Sequence, residues 1–369
     1  MVINIVSNAG RSHLLDIARE LEKHGHTVRF YSYVRKGRAM RFGLKPECCY
    51  SIFWFWVPYL IFRSLFGNVG RVHYVWQHIL DYFMAFYMKP CDVLIAHSPA
   101  YVYSLKRAKK NWGTTTIIER GSAICYDYLD ALKGMPGFPN TILYQNELDG
   151  YANADYITVG ADHVKQGFIN HGYPAEKIFV NNYGVDLSQF HPTTFQGKYD
   201  LITVGRWSFG KGCDLLVEAC RLKNYSLLHV GAVTDLQFPT DLTNVVSAGF
   251  IQQYELEKYY AQAKVFAFPS RTEGCGLVQM QAIACGLPIA CSQSSGGRDF
   301  RKYVDHPENI VEMKDFTVES LCECIDKALL MADKQVGLRD YAGQGICEVS
   351  FEGYGQRYND FLLKITDAK

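Results

Sequence analysis

Two cations stand in a glycine-rich turn of the sequence, at Arg206 and Lys211. They follow a β-branched run that ends at Gly205 and precede a segment with helical spacing. The letters come close to the triphosphatase pattern G-x-x-x-x-G-K-[ST], but Gly212 replaces the hydroxyl residue that would hold Mg²⁺. An arginine fork and a lysine point charge together can neutralise a diphosphate. We therefore predict a diphosphate site, with a solvated loop carrying two ordinary cations as the alternative.

A second group of residues combines a glutamate with a glycine-rich helix start. Free N–H groups at residues 276–278 can bind an anion, with the helix dipole behind them. Glu273 beside an anion is costly unless it binds hydroxyls or a partial cation, and a sugar attached to a diphosphate offers both. Gln281, further along the same helix, is within reach of a ribose. For Glu273 the alternative interpretation is that it only caps a buried helix. The predicted donor-binding residues here are Glu273, Gly274, Cys275, Gly276, Leu277, Val278 and Gln281.

Together these segments resemble the donor-binding signature of family 4 glycosyltransferases, which are retaining enzymes of the GT-B fold. That signature is a glutamate, a glycine-rich helix start, a second glutamate eight positions later and a small-residue stretch ending in Gly-x-Pro. Gln281 stands where the family has its second glutamate. The interdomain stretch at residues 183–192 also matches. The other matching residues are Gly205, Arg206, Lys211, Glu273, Gly274, Gly276, Leu277, Ala282, Gly286 and Pro288.

The resemblance implies transfer of a hexose-type sugar from a nucleoside-diphosphate sugar of the UDP or GDP type, with retention at the anomeric carbon. The acceptor would be a glycan or a lipid-linked glycan in lipopolysaccharide, capsule or exopolysaccharide synthesis. Arg206 and Lys211 would stabilise the leaving diphosphate, and Glu273 would bind hydroxyls of the donor sugar, so these three are the catalytic candidates. No cofactor and no metal are expected, and the sequence has no D-x-D triplet.

Two rival functions remain open at this stage. A nucleotide-sugar epimerase of the same fold would need catalytic acids and bases that we cannot place in the sequence. A non-catalytic sugar-nucleotide-binding protein is favoured by Gln281, which binds ribose hydroxyls without a charge-assisted bond. It is also favoured by the missing N-terminal histidine, which many family members place just after the strand that ends near Glu119.

The N-terminal half offers fewer candidates. Glu119 and Arg120 either act on the acceptor side or form an ion pair, and both interpretations are kept. His13 and His97 could face the cleft, although a lone histidine at such a position is more often structural. Gly10, in the turn after the first predicted strand, joins the donor-binding candidates, but a lone glycine falls far short of G-x-G-x-x-G.

The elements that must position these residues alternate between strands and helices. A strand, a helix and a second strand fill the first thirty residues, and a second series of the same kind begins at residue 201. Such alternation predicts parallel sheets covered by helices, and thus two Rossmann-like domains facing a central cleft. We place the N-terminal acceptor-side domain at residues 1–192 and the nucleotide-sugar-binding domain at residues 193–349. A final helix at about 350–369 would cross back to the first domain.

The amino-acid composition limits the kinds of binding partner and the cell compartment that we expect. The chain has 369 residues, 38 Lys and Arg against 37 Asp and Glu, so a net charge of +1 gives no electrostatic basis for nucleic-acid binding. Twelve cysteines are scattered without a C-x-x-C pair, which argues against zinc sites and favours a reducing compartment. The N-terminus lacks a signal-peptide pattern. We predict a cytoplasmic protein that contacts the cytoplasmic face of a membrane peripherally.

The membrane prediction rests on residues 35–66. Residues 31–70 carry six Lys or Arg and one acid, and the aromatic concentration at 50–66 adjoins them. Cations suit anionic headgroups, and amphipathic aromatic rings suit the depth of those headgroups. Pro58 is expected to interrupt a simple helix, and Trp54 and Trp56 are hard to bury together. The alternative is a buried helix behind a solvated basic loop.

Overall fold

The computed structural model describes residues 1–7, 12–33, 35–67, 70–98, 102–133, 135 and 142–367. Gly10 lies outside these residues, so its predicted role at the donor site stays a prediction.

The first of two large sheets has seven parallel strands. Its order is β3-β2-β1-β4-β5-β6-β7, with the direction of strand order reversing at β1 and β4. Ligands of open parallel sheets bind beyond the carboxyl ends of the strands at such a switch point. The strands are β1 Val2–Ser7, β2 Thr27–Ser32, β3 Cys49–Ser51, β4 Val93–His97, β5 Thr115–Arg120, β6 Tyr156–Val159 and β7 Ile178–Val180.

Eight helices belong to the same part of the chain, among the residues that the structure describes. In α1, the buried apolar residues recur at helical spacing and pack onto the sheet. The helices are α1 His13–Lys23, α2 Lys36–Arg41, α3 Phe53–Phe66, α4 Gly70–Tyr87, α5 Val102–Trp112, α6 Cys125–Ala131, α7 Ile142–Asn153 and α8 Asp162–Asn170.

The second large sheet has six parallel strands in the order β11-β10-β9-β12-β13-β14, and a separate two-stranded ribbon pairs β8 with β15 antiparallel. The strands are β8 Thr193–Thr194, β9 Tyr199–Val204, β10 Leu227–Val230, β11 Val245–Ser247, β12 Ala263–Phe268, β13 Ile289–Cys291, β14 Ile310–Glu312 and β15 Leu338–Arg339. The helices are α9 Cys213–Lys223, α10 Leu256–Tyr260, α11 Leu277–Ala284, α12 Val318–Ala332 and α13 Phe351–Asp367.

The last helix, α13, packs against the first sheet's half of the molecule. The Phe361 ring stacks on Phe179 at 4.1 Å between centroids, and Nε2 of His26 lies 2.7 Å from Oδ1 of Asn359. The predicted return of the C-terminal helix to the N-terminal half is therefore confirmed. The predicted domain boundaries at 192 and 349 remain predictions.

The predicted break at Pro58 is wrong, because α3 continues through that residue. Proline inside a helix costs about 3 kcal/mol, so packing must offset it. Phe55 contacts Phe83 of α4 at 4.1 Å between centroids, and Trp56 stacks on Tyr33 at 4.5 Å. These tertiary contacts hold the helix that the local sequence disfavours.

All twelve cysteines are free thiols, and most are buried. Burial raises the pKa of the Cys91 thiol to about 11, as expected of a cysteine that packs as a small apolar side chain. Within the described ranges, no helix is both long and apolar enough to cross a bilayer. The same ranges contain no group of three His, Cys, Asp or Glu side chains arranged to hold a metal ion.

Candidate active site

The turn after β9 has the predicted strand-to-helix geometry. Gly205 and Gly212 both have positive φ, at 137° and 69°, and a short 3₁₀ turn at Phe209–Lys211 separates them from α9. A Cβ on Gly212 would collide with the carbonyl oxygen of Pro269. Close approach of the next loop therefore requires glycine at the position where an ATPase would carry its Mg²⁺-binding hydroxyl.

Lys211 and Glu273 meet across these two loops as an ion pair. The Ser270 hydroxyl lies 3.1 Å from Oε1 of Glu273 and 3.0 Å from the carbonyl oxygen of Gly210. Burial, followed by the charge of Arg206, lowers the pKa of Lys211 to about 8. The loop thus holds a largely buried cation whose anionic partner in this structure is Glu273.

Arg206 differs from its neighbour because its side chain is exposed. Among the described residues, none pairs with its guanidinium through a hydrogen bond or an ion pair. Lys211 and Arg206 therefore present one paired and one unpaired cation to the same region, which suits a ligand that carries more than one negative charge.

Arg271 is a positioning residue that sequence reasoning missed. Its guanidinium forms a bidentate pair with Asp214, at 2.7 Å for each bond, and donates to the carbonyl oxygen of Phe209 at 2.6 Å. It lies over the rings of Phe209 and Phe316 at 3.6 and 4.7 Å. These contacts fasten the loop that carries Glu273 to the turn that carries Lys211.

His163 also holds this loop and was not predicted. Its Nε2 lies 3.0 Å from the carbonyl oxygen of Glu273. Burial lowers the pKa of His163 to about 4, so the ring is neutral near pH 7 and donates from Nε2 to that carbonyl. A histidine in the first turn of a helix gives no signal of such a contact in sequence, because its partner is 110 residues away.

The predicted anion site at the start of α11 has the expected backbone form. Gly276 is the N-cap residue with φ 54°, and the helix begins at Leu277, which is exposed, with Val278 half-buried. The N–H of Gln279 is already bonded to the carbonyl oxygen of Gly276 at 2.8 Å. The amides of residues 277 and 278 are the predicted donors that lie nearest the exposed end.

Cys275 reaches the other half of the molecule instead of an open pocket. Its side chain is 1% exposed, and a Cβ on Gly160 would lie 2.6 Å from its Cβ. Burial raises the pKa of the Cys275 thiol to about 12, so the thiol stays protonated. Its side chain packs between the two halves, which leaves backbone groups as its means of contacting a donor.

Gln281 lies inside α11 and is 8% exposed. The Tyr260 hydroxyl lies 3.1 Å from Oε1 of Gln281 and 3.2 Å from the carbonyl oxygen of Val278. Tyr260, which sequence reasoning did not single out, therefore fixes the amide oxygen at the position where the resembled family has a carboxylate.

The N-terminal candidates lie in a buried polar cluster. Nε2 of His13 lies 3.0 Å from Oε1 of Glu119, and the His13 ring stacks on Tyr183 at 4.3 Å between centroids. The Thr158 hydroxyl donates to the second oxygen of Glu119, which is 1% exposed. His97 lies 6.0 Å from His13 between ring centroids, and burial lowers its pKa to about 3, so it is neutral.

Glu119 and Arg120 do not pair with each other. Arg120 donates to Oε1 of Glu147 at 2.6 Å and to the carbonyl oxygen of Ala123 at 2.7 Å. The Tyr151 hydroxyl bonds the other oxygen of Glu147 at 3.0 Å. The predicted ion pair between Glu119 and Arg120 is therefore wrong, because adjacent residues of a strand point to opposite faces of the sheet. Arg120 forms its ion pair with Glu147 instead.

The two halves close on a cavity of about 490 Å³. A Cβ on Gly274 would collide with the carbonyl oxygen of Gly121, so the loops of the two halves touch. One wall carries Arg206, Lys211, Asp235 and Glu273, and the other carries Arg120, Tyr128, Leu132, Met135 and Tyr144. A charged wall thus faces a wall that combines aromatic and apolar side chains with the Arg120–Glu147 ion pair, a pattern that suits a sugar phosphate on one side and a sugar ring on the other.

The architecture is that of a GT-B glycosyltransferase. Sucrose-phosphate synthase from Thermosynechococcus elongatus superposes with a TM-score of 0.74 over 100% of both chains, at 15% identity. Anabaena HepE in complex with UDP-glucose superposes with a TM-score of 0.65 over 99% of this chain and 100% of that one, at 14% identity. At such identities the likeness establishes the fold alone.

The sequence comparison is more specific within the second half. Residues 198–330 match the family described as Glycosyl transferases group 1, so this segment is a group 1 glycosyl transferase domain, as the resemblance to family 4 implied. The amylovoran biosynthesis glycosyltransferase AmsK of Erwinia amylovora is 31% identical over 147 residues, 34% of this chain and 36% of that protein. The GDP-mannose-dependent alpha-(1-6)-phosphatidylinositol monomannoside mannosyltransferase of Mycolicibacterium smegmatis is 28% identical over 196 residues. That match covers 45% of this chain and 49% of the relative, so the alignments span a third to a half of these curated relatives.

Proposed function

We propose that this protein is a retaining glycosyltransferase that moves a hexose-type sugar from a nucleoside-diphosphate sugar to a glycan or lipid-linked acceptor. The observation that carries the proposal is the charged wall of the cleft, where exposed Arg206 and the Lys211–Glu273 pair meet beside the start of α11. The group 1 domain contains all three residues. The fold alone would not identify a reaction, since one fold serves many functions.

The proposed step breaks the bond between the anomeric carbon and the diphosphate oxygen and forms a bond from that carbon to an acceptor hydroxyl oxygen. The diphosphate leaves with the bond's electron pair, and the proton of the acceptor hydroxyl passes to an oxygen of the leaving diphosphate. Arg206 and Lys211 stabilise the negative charge that develops on the diphosphate. Glu273 exchanges its contact with Lys211 for hydroxyls of the donor sugar. Two protein cations supply the positive charge that a metal ion supplies in other enzymes.

The nucleotide of the donor is proposed from two kinds of relative. One sequence relative is named as GDP-mannose-dependent, and one structural neighbour was solved with UDP-glucose. The ribose would lie against Gln281, whose amide NH₂ can donate to ribose oxygens while Tyr260 holds the amide oxygen. Both the UDP and the GDP types therefore belong in the ligand panel.

The acceptor is proposed to lie against the N-terminal wall. Tyr128 and Tyr144 lie 6.4 Å apart between ring centroids on that wall, and flat aromatic faces pack well against pyranose rings. Relatives are named for amylovoran and colanic acid biosynthesis, which supports a role in building a surface polysaccharide. The site of that work would be the cytoplasm.

The test combines binding and turnover. A thermal-shift panel of UDP, GDP and their hexose derivatives should single out one nucleotide, because a ligand at 100 times its Kd stabilises the fold by about 2.7 kcal/mol. Purified protein with that donor and an acceptor glycan should then release the nucleoside diphosphate. Glu273→Ala should abolish most turnover, and Glu308→Ala, an exposed glutamate away from the cleft, is the matched control. Unchanged turnover in Glu273→Ala would show that the site is assigned wrongly.

The same assay separates the two rival functions. An epimerase would convert the donor into its epimer without any acceptor, which NMR of the sugar nucleotide detects. A non-catalytic binding protein would show the thermal shift with no release of nucleoside diphosphate under any acceptor. Retention is read from the anomeric configuration of the product.

A further inference from the structure

Two neighbouring helices, α3 and α4, carry an exposed apolar surface that the proposed reaction does not use. Six large apolar side chains of α3 and five of α4 are exposed, among 25 such residues in the described chain. Trp54 is 78% exposed, Leu65 71% and Phe66 66%. We name this region the α3–α4 surface. A concentration of this kind on two helices marks a docking site, whereas scattered single residues need no explanation.

Ring contacts make the surface continuous across both helices. Phe55 of α3 contacts Phe83 of α4, and Phe83 in turn lies 6.0 Å from Tyr87 between ring centroids. Phe86 and Tyr82 are paired at 4.9 Å. The sequence directed attention to α3 alone, so α4 is the part that the tertiary structure adds.

The chain segment that contains these two helices is rich in cations. Residues 31–112 contain twelve Lys or Arg and three acids. One of those acids, Asp81, is 1% exposed because it accepts hydrogen bonds from the backbone N–H groups of Tyr103 and Ser104. The Arg35 guanidinium lies 4.3 Å over the ring of Phe53, and that of Arg107 lies 4.3 Å over the ring of Phe86. Cations therefore border the aromatic rings on both helices.

We propose that the α3–α4 surface docks into the interfacial layer of an anionic lipid bilayer. Exposed Trp and Tyr rings suit headgroup depth, and the bordering cations suit anionic headgroups. A second copy of the chain fits less well, because a two-fold interface sets a patch against itself and would bring the cationic borders together. The 14-residue α3 spans about 21 Å, less than the ~30 Å hydrocarbon core, so it lies in the interface plane.

The docked surface lies close to the cleft. Helix α7 packs against both α4 and α5 and contributes Tyr144 to the aromatic wall. Helix α7 therefore links α4 of the lipid-facing surface to the proposed acceptor wall. That a lipid-linked acceptor reaches the cleft from this side rests on the proposed function, whereas the docking itself does not.

The experiment measures co-sedimentation of the full chain with vesicles of phosphatidylcholine, with and without phosphatidylglycerol. We expect binding that requires phosphatidylglycerol and that falls about tenfold in Trp54→Ser/Leu65→Ser, through lost apolar insertion. The control is Leu330→Ser/Val336→Ser, since these side chains are 61% and 92% exposed in the other half of the chain. Trp56 is left intact because it stacks on Tyr33 in the core.

A second arm tests the charges. Arg35→Gln and Arg63→Gln, both exposed, should each lower the partition into anionic vesicles about fivefold, and added salt should reduce the difference. Binding that ignores lipid charge and all four substitutions would overturn the proposal, as would absence of binding to any vesicle. A dimer that Trp54→Ser/Leu65→Ser dissociates, without vesicle binding, would show that a second copy is the true partner. Unchanged thermal unfolding of the variants separates docking from misfolding. A docking failure would leave donor turnover intact.

Discussion

The two walls of the cleft hold similar numbers of charged candidates but use them in opposite ways. On the C-terminal wall, Arg206 is exposed and Lys211 lies in a turn whose partner, Glu273, is itself half-buried. On the N-terminal side, Glu119 and Arg120 are 1% and 6% exposed and fully occupied by internal partners. The charges of one wall are available to a ligand, whereas those of the other hold the fold together.

The difference follows from the cost of burying charge. A charge taken out of water must be paired and hydrogen-bonded, and once paired it can no longer answer a ligand without a large penalty. Exposed Arg206 keeps water as its partner and can exchange that water for a diphosphate, whereas Lys211 must exchange its contact with Glu273 for it. The following predictions test whether the walls divide their roles in this way.

Of these substitutions, Arg120→Ala should produce the largest effect, which is a loss of stability and not of turnover. It leaves Glu147 buried with only the Tyr151 hydroxyl as partner, which should lower the free energy of unfolding by about 3–5 kcal/mol. Chemical denaturation measures this loss. Arg120→Met combined with Glu147→Leu should recover most of it, because removing both charges leaves neither unpaired. A stable Arg120→Ala protein that has lost only turnover would place Arg120 in the chemistry and erase the difference between the walls.

Lys211→Met should act on turnover instead. Loss of one stabilising charge from a leaving group costs about 3–4 kcal/mol, so kcat should fall 10²- to 10³-fold. Its loss of unfolding free energy should be smaller than that of Arg120→Ala. Steady-state release of nucleoside diphosphate and denaturation of the same preparation provide the two readouts. A large loss of stability with normal kcat would mean that Lys211 is structural.

The pH dependence sharpens the same assignment. Since the pKa of Lys211 is lowered to about 8, the side chain is charged below that pH and neutral above it. Therefore kcat/KM should fall as the pH rises through about 8. In Lys211→Arg the guanidinium stays charged, so the fall should move to higher pH even if the rate is lower throughout. A profile that is the same in both proteins would assign the titration to another group.

Gln281→Glu should produce the smallest effect. A charge-assisted bond to ribose is about twice as strong as a neutral one, so nucleotide affinity should rise about fivefold. Calorimetric titration with the nucleotide from the thermal-shift panel measures the change. Gln281→Leu, which removes the amide and leaves the Tyr260 hydroxyl without that partner, should weaken binding. Equal nucleotide affinity in the unsubstituted protein, Gln281→Glu and Gln281→Leu would show that residue 281 does not contact the ribose.

The local sequence pattern predicted the alternation of strands and helices well. Buried residues recur every second position in a strand and about every 3.6 positions in a helix, so neighbouring residues are enough to show which element forms. The sequence pattern predicts a strand at 92–97 and a helix at 213–222, and the structure has β4 at Val93–His97 and α9 at Cys213–Lys223. The helix that the pattern predicts at 98–110 corresponds to α5, described from Val102 onward, and the carboxylate of Asp81 from α4 accepts hydrogen bonds from the N–H groups of Tyr103 and Ser104 in its first turn. Such a cap depends on a contact 22 residues away, which no local pattern contains.

The residues of the candidate site likewise fall into some that the sequence could predict and some that it could not. Glu273 and Lys211 are 62 residues apart, and they were brought together in prediction only by the resemblance to a family. Arg271 and His163 carried no signal, because their work is to bond backbone carbonyls of distant loops. The sequence named the groups that would touch a ligand and missed the groups that hold them.

By itself the sequence determined the class of fold, the group 1 glycosyl transferase segment and the positive aromatic region, since all three depend on residue type and short spacing. The tertiary structure decided which charges face the cleft. It paired Arg120 with Glu147 and left Arg206 exposed, and it added α4 to the aromatic surface of α3. The physical reason is that the energy of a charge or an aromatic ring depends on whether water or protein surrounds it, and only the packed chain sets those surroundings.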